Sequence, residues 1–344
     1  MADRAELARD FISAAGWGDA ARSRLAGDAS FRRYERLQRP GDNTAGGSAV
    51  LMDAPPPQED VRPFVAIARA LADGGYSAPR ILAEDAEHGF LLLEDLGDDL
   101  YARLIAGGAD ETPLYEAAID FLLDLHRRPA PAGLAPYDEA RLIDETGLFT
   151  DWYLPALTGH DTPDALRSAF IAQWTALAPE VAAEDAGHPR VLVLRDFHAE
   201  NLIWLPGRNG AARLGLLDFQ DAVAGHRAYD LVSLLEDARR DVAPALAEAM
   251  LARYIAGSGL DEAAFRRAYA ILGAQRNLRI IGIFTRLWKR DGKPHYQTFM
   301  PRMWRLVEGD LAHPALAGLR AWLDETVPPP LRRQPLPGLA DAAS

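Results

Sequence analysis

The stretch that most constrains this 344-residue chain is Leu194-Arg195-Asp196-Phe197-His198-Ala199-Glu200-Asn201, followed by Leu217-Asp218-Phe219-Gln220-Asp221. Short apolar runs at 191–194 and 214–217 lead into the two clusters, and runs of that length bounded by polar residues and glycine read as strands. Between them, Leu202-Ile203-Trp204-Leu205 and the loop at 207–210 predict strand, turn, strand. The pattern puts three oxygen-bearing side chains, Asp196, Asn201 and Asp218, at one sheet edge.

That set suits phosphoryl transfer. A carboxylate can orient an acceptor hydroxyl and take up its proton, while an amide oxygen and a second carboxylate are hard donors of the kind that hold Mg²⁺ on nucleotide phosphates. Taken singly, Asp196 and Asn201 also suit a turn and Asp218 a strand end. Their order and strand context together point to the chemistry.

Bulk composition narrows the field. With 37 basic and 50 acidic residues the formal charge is −13, which argues against a binder of nucleic acid or of an anionic membrane, though not against a nucleotide. There is no cysteine, so disulfides, thiolate catalysis and iron–sulfur clusters are excluded. The first ten residues mix acids and bases without an apolar core, and no stretch reaches the ~18 apolar residues of a membrane helix. No GxxxxGK[ST] loop is present, which removes the P-loop NTPases. A soluble, cytoplasmic protein is expected.

Along the chain, residues 5–16 read as a short helix and 25–37 as a strand, a small-residue turn and a second strand. Residues 48–52 follow as a strand. Residues 58–73 carry Val61, Phe64, Val65, Ala68 and Leu71 at helical spacing, and Gly74-Gly75 stops them. Segments 80–83 and 89–93 predict an antiparallel pair. Beyond them the chain reads as mainly helical, with Trp152, Tyr153, Phe170 and Trp174 as core and His126 as a structural histidine. Asp230 reads as the N-cap of a helix carrying Leu231, Leu234 and Leu235. Residues 275–295 hold Arg276, Arg279, Arg286, Lys289, Arg290 and Lys293 against the single acid Asp291. Such an island reads as a solvated helix face or, alternatively, as a seat for an anionic acceptor.

Asp196-x-x-x-x-Asn201 followed by Leu217-Asp218-Phe219 resembles the catalytic segment of the aminoglycoside phosphotransferase/choline kinase family, a branch of the protein-kinase-like fold. The family usually opens this motif His-Gly-Asp, where this chain has Leu194-Arg195-Asp196. Ala29-Ser30-Phe31-Arg32-Arg33-Tyr34, Met52-Asp53-Ala54-Pro55-Pro56, Leu217-Asp218-Phe219-Gln220-Asp221-Ala222 and Tyr229-Asp230-Leu231-Val232-Ser233-Leu234-Leu235 resemble that family's bacterial kinases for the anomeric hydroxyl of N-acetylmuramate and N-acetylglucosamine. The likeness runs from residue 20 to residue 325.

The resemblance implies an α+β, two-lobed kinase-like fold. A small antiparallel-sheet lobe over 1–95 would bind nucleotide, and a larger helical lobe over 96–344 would carry catalysis and substrate, with a hinge at 94–97. It implies ATP and Mg²⁺ as cofactors, Asp196 as the catalytic carboxylate, Asn201 and Asp218 as metal ligands, and Asp230 as a brace beneath the loop. Ser30, Phe31, Arg32 and Arg33 would lie over the phosphates, and backbone groups of Glu94, Asp95 and Leu96 would hold the adenine edge. Relatives carry a phosphate-binding lysine on the third strand, where this chain has Met52; its two lysines, Lys289 and Lys293, lie far downstream. The positive charge then falls to Arg32 or Arg33, or to Mg²⁺ and backbone donors. His198, Glu200, Gln220, Asp221 and Arg276 are candidates for gripping the acceptor.

The function so implied is phosphorylation of an N-acetylated amino sugar to its 1-phosphate in cell-wall sugar recycling, by a monomer without nucleic-acid or membrane partners. A kinase for a choline-like, homoserine-like or antibiotic hydroxyl, and a nucleotide-binding protein without turnover, remain the alternatives.

Overall fold

The structure is a computed structural model that describes residues 3–25, 31–42, 44–184 and 187–339. Nine strands run in chain order: β1 (Ala21–Arg24), β2 (Arg33–Gln38), β3 (Ser48–Asp53), β4 (Ile81–Asp85), β5 (Phe90–Glu94), β6 (Val191–Val193), β7 (Leu202–Trp204), β8 (Leu214–Leu216) and β9 (Val223–Gly225). The helices used below are α1 (Arg4–Ala14), α2 (Arg62–Asp73), α3 (Tyr101–Ala106), α4 (Glu111–Leu125), α5 (Glu139–Leu148), α6 (Leu154–Thr158), α7 (Asp164–Glu184), α8 (Ala228–Leu235), α9 (Pro244–Ser258), α10 (Glu262–Lys289) and α11 (Met300–Asp310). The chain forms two compact units, residues 1–121 with 199–222, and residues 122–198 with 223–344.

In the first unit, five antiparallel strands form a sheet in the order β1-β2-β3-β5-β4. Alternate residues Leu37, Ala49, Leu51, Phe90 and Leu92 share one face and bury against Ala8 and Ile12 of α1 and against Trp17. Each large side chain buried this way contributes about 1.5–3 kcal/mol, which fixes the register of β3 and so the side to which Met52 points. The first strand of the predicted 25–37 hairpin lies earlier, at Ala21–Arg24, and all four of its residues are exposed. A charged edge strand with no buried side carries no hydrophobic alternation to find. The turn of that hairpin, with Ser30, lies outside the described residues.

The β7–β8 hairpin belongs to this first unit. Trp204 donates its N–H to the carbonyl of Asp99, and Leu216 donates to that of Ser77. Gly215 faces Ile203, Leu205 and Leu96, where an added Cβ would meet side chains at 3.1–3.2 Å. Secondary structure changes from sheet to helix where β5 ends at Glu94. The compact unit continues past that point, through α3, because of these contacts.

In the second unit, α10 is the central element. Residues 270–278 are buried on every face, because α5, α7, α8 and α11 all pack around it. Its start is capped by the carboxylate of Asp261, which accepts the N–H of Ala264 at 2.8 Å. α5 runs through a π-helical segment, Phe149–Tyr153, into α6. Gly282 of α10 passes so close to it that a Cβ there would overlap the backbone of Leu148. Tyr153, Phe170 and Trp174 are buried core residues. His126 is likewise structural: its ring nitrogen Nδ1 lies 2.7 Å from the Tyr254 hydroxyl, and burial, with Arg227 and His226 nearby, lowers its pKa to about 3. Among the described residues, no helix is long and apolar enough to cross a membrane.

Candidate active site

The loop that follows β6 lies in the second unit and is held from beneath by α8. The Asp230 carboxylate accepts the N–H of Leu194 at 2.7 Å and that of Arg195 at 2.9 Å. Asp230 is not the helix cap the sequence suggested: α8 begins at Ala228, so the carboxylate sits within the first turn and faces the loop. Burial raises its pKa to about 7, against the pull of those two N–H groups and of Arg276. Ser233, one turn on, donates its hydroxyl to the Arg195 carbonyl at 2.9 Å, and Arg276 of α10 donates to that same Ser233 oxygen at 2.9 Å.

These bonds hold a strained backbone. Arg195 has φ 69°, a left-handed conformation that costs a non-glycine residue about 1–3 kcal/mol. Its guanidinium is fixed as well, by two bonds to Glu145 at 2.8 and 3.0 Å. Asp196, half-buried, follows directly, and its carbonyl accepts the N–H of His198 at 3.1 Å. The loop therefore presents Asp196 from a backbone locked at three points.

Asn201 and Asp218 meet in the first unit, at the open end of the β7–β8 hairpin. Leu202 pairs with Leu216, and Leu217 donates its N–H to the Asn201 carbonyl at 2.9 Å. The ladder thereby sets Asn201 across from Leu217 and next to Asp218. Asp218 is the other non-glycine residue with a left-handed backbone among the described residues, φ 56°. The ring of Phe219 beside it stacks on Phe64 of α2 at 4.7 Å. One carboxylate and one amide make a hard oxygen donor pair of the kind Mg²⁺ prefers, and a cation already faces that carboxylate. Arg32 Nη2 stands 3.4 Å from Asp218 Oδ1, and Arg32 Nε stands 3.7 Å from Glu59. Burial works against the Arg32 charge, but Tyr34, Asp218, Glu59 and Asp221 together raise its pKa above the ordinary arginine value.

The remaining nucleotide candidates divide by what they can offer. Phe31 is exposed and donates its N–H to Glu59 at 3.2 Å, while Arg33 is exposed on β2, opposite Asp53 in the ladder. Met52 is 1% exposed on β3, so this position supplies packing and no charge. The Glu94 carboxylate is taken up by Arg80 and Arg208, and that of Asp95 by Ser48, Arg36 and the N–H of Gly97. What this segment can offer a ligand is backbone, and the N–H and C=O of Leu96 have no partner among the described residues. One free donor beside one free acceptor suits the edge of a purine.

The candidates for gripping the acceptor are scattered. His198 is buried, and Arg239 donates to its Nε2 at 2.8 Å. Burial, Arg239 and Arg276 hold its pKa well below the usual value, so it is a neutral acceptor facing protein. Arg276 is 3% exposed and supports the loop through Ser233; burial inside α10's packing removes it from any solvated face. Gln220 donates to Asp218 at 2.9 Å, and Asp221 lies in the field around Arg32, which places both with the first unit's carboxylate. Glu200 is exposed in the turn after the loop.

Sequence reasoning missed Glu59, Glu145 and Ser233. Each acts across a long separation, and the only local signal was the i, i+4 spacing of Arg141 and Glu145 on one helix face.

Comparison with known proteins identifies the family. Residues 22–269 match the family described as phosphotransferase enzyme family, APH. The chain is 44% identical to an N-acetylmuramate/N-acetylglucosamine kinase of Caulobacter vibrioides, covering 94% of this chain and 96% of that one. It is 42% identical to a kinase of the same name from Pseudomonas aeruginosa, over 90% of each. Among solved structures, a choline/ethanolamine kinase family protein from Mesorhizobium loti is similar with a TM-score of 0.60 at 17% identity, covering 94% of this chain and 100% of that one. An aminoglycoside phosphotransferase from Streptomyces rimosus, in complex with ADP and streptomycin, has a TM-score of 0.53 at 18% identity, covering 81% and 99%. At such identities the likeness establishes the kinase-like fold, an antiparallel sheet followed by a mainly helical remainder. The sequence match establishes the rest: the chain belongs to the APH phosphotransferase family and is a phosphotransferase enzyme.

Proposed function

We propose that this enzyme phosphorylates the anomeric hydroxyl of N-acetylmuramate and N-acetylglucosamine, using ATP and Mg²⁺, to give the sugar 1-phosphate. The observation that carries the reading is the 44% identity, over 94% of the chain, to a kinase named for those two sugars. Asp196 orients the anomeric hydroxyl and takes its proton as that oxygen bonds to the γ-phosphorus and the bond to the β,γ-bridging oxygen breaks, releasing ADP. An anomeric hydroxyl is more acidic than an ordinary alcohol, so a carboxylate suffices as the base. Asn201 and Asp218 hold the metal, Arg32 serves the phosphates in place of the third-strand lysine, and backbone at 94–96 serves the adenine. When bound, MgATP supplies the phosphoryl group and neutralises its charge. A division into lobes at 94–97, a monomer, a cytoplasmic location and a role in cell-wall sugar recycling are parts of the same proposal.

One assay tests the acceptor: Mg²⁺- and ATP-dependent ADP release with N-acetylmuramate, N-acetylglucosamine, choline, homoserine and kanamycin, with products identified by ³¹P NMR. An acid-labile 1-phosphate from the N-acetyl sugars is expected. Release only with another acceptor would replace the substrate, and no release across the panel would remove both sugars as acceptors.

A further inference from the structure

Three guanidinium groups of the second unit converge on a single carboxylate. Glu145 of α5 takes both bonds from Arg195, lies 2.9 Å from Nε of Arg279 on α10, and accepts from Nε of Arg141, one turn back on α5, at 3.2 Å. Tyr137 adds its hydroxyl at 3.0 Å. Burial alone would push the Glu145 pKa up, but Arg279 and Arg195 outweigh it and hold the carboxyl below its usual value. The acid is therefore ionised, and three positive charges face one negative charge.

An excess of two charges is unusual at this depth, where the side chains of Arg195, Glu145, Arg279 and Arg141 are 9%, 14%, 21% and 32% exposed. Charges withdrawn from water are normally matched one for one. The terminal nitrogens of Arg141 and Arg279 have no acceptor among the described residues, since Glu145 engages only their Nε atoms. The excess continues along α10: Arg286, two turns beyond Arg279, is half-buried, and burial, Arg290 and Arg279 all depress its pKa. Arg195 adjoins Asp196 in the chain, which puts the cluster beside the proposed base.

We propose that Arg141 and Arg279, set in place by Glu145, receive a carboxylate borne by the acceptor and so determine the enzyme's preference for an acidic over a neutral N-acetylated sugar. The proposal rests on the sugar-kinase reading above. A planar carboxylate fits the paired donors of a guanidinium edge, and Glu145 places those edges through a hydrogen bond from Nε of Arg141 and an ion pair with Arg279.

The test compares wild-type enzyme with Arg279→Gln and Arg141→Gln on N-acetylmuramate, its uncharged methyl ester and N-acetylglucosamine. The kcat/KM ratio of N-acetylmuramate to N-acetylglucosamine should fall about 10- to 100-fold, through KM, as expected for a lost charge-assisted bond. Arg279→Lys should fall between the two. Calorimetry without nucleotide should show wild type binding the acid more tightly than the ester, and the variants losing that difference. Should Arg279→Gln not fold, Arg141→Gln, the more exposed of the two, carries the same test. Equal losses on both sugars, or an unchanged ratio, would overturn the pocket while leaving the sugar-kinase reading intact. A wild-type enzyme that phosphorylates no sugar would overturn that reading and the pocket with it.

Discussion

The loop that presents Asp196 and the hairpin end that presents Asn201 and Asp218 are built by opposite means. Beneath the loop, Asp230 and Ser233 are wholly buried and Arg276 is 3% exposed, and each bonds to backbone or to another buried group. Around Asp218 the partners are ions near the surface: its side chain is 30% exposed, against 13% for Arg32 and 20% for Glu59, at separations of 3.4 and 3.7 Å. Backbone bonds at 2.7–2.9 Å in a dry interior fix a position, whereas partly exposed ion pairs at 3.4 and 3.7 Å are looser and exchange more readily. A base that accepts a proton in flight gains from being fixed. A carboxylate that takes a metal gains from a partner it can surrender.

The largest expected effect lies on the fixed side. Asp196→Asn should lower turnover about 10²- to 10⁴-fold, the usual worth of a positioned general base, with melting temperature and ATP affinity unchanged. Turnover close to wild type would remove Asp196 from the chemistry. Next, Asp230→Ala should strand two buried N–H groups at about 1–3 kcal/mol each, visible as a lower urea midpoint together with slower turnover. A midpoint that stays in place would show that the loop does not depend on its brace. Smallest is the exchangeable side: Arg32→Gln should raise the KM for ATP about tenfold and change stability little, because the ion pairs it removes are long, at 3.4 and 3.7 Å, and glutamine keeps a donor there. If instead Arg32→Gln lowers stability and spares ATP binding, the contrast between the two regions fails.

Much of this was legible in the sequence, for reasons that differ from place to place. The sheet, α2 and the β7–β8 hairpin announce themselves because each has one dry face, and periodicity records that asymmetry. Asp196, Asn201 and Asp218 stand out through spacing within some two dozen residues. The basic island at 275–295 misled: its six basic residues look solvated in one dimension, yet Arg276 and Arg279 point into the unit because other helices surround α10. Edge strand β1 gave no signal because nothing in it is buried. Glu145 and Ser233 could not be found from spacing, since each meets the loop across dozens of residues, and only the fold brings them to Arg195.

Arg195 carries a final consequence, for the mutational paths open to this enzyme. Its backbone adopts φ 69°, which glycine would satisfy without strain, while its Nη2 reaches both oxygens of Glu145 from the end of a long side chain. Glycine at this position would relax the chain and unseat the ion cluster; lysine would keep the charge and the strain; alanine would keep the strain and lose the bonds. Relaxing the backbone at residue 195 therefore costs the bonds to Glu145, so an exchange to glycine calls for a compensating change at Glu145.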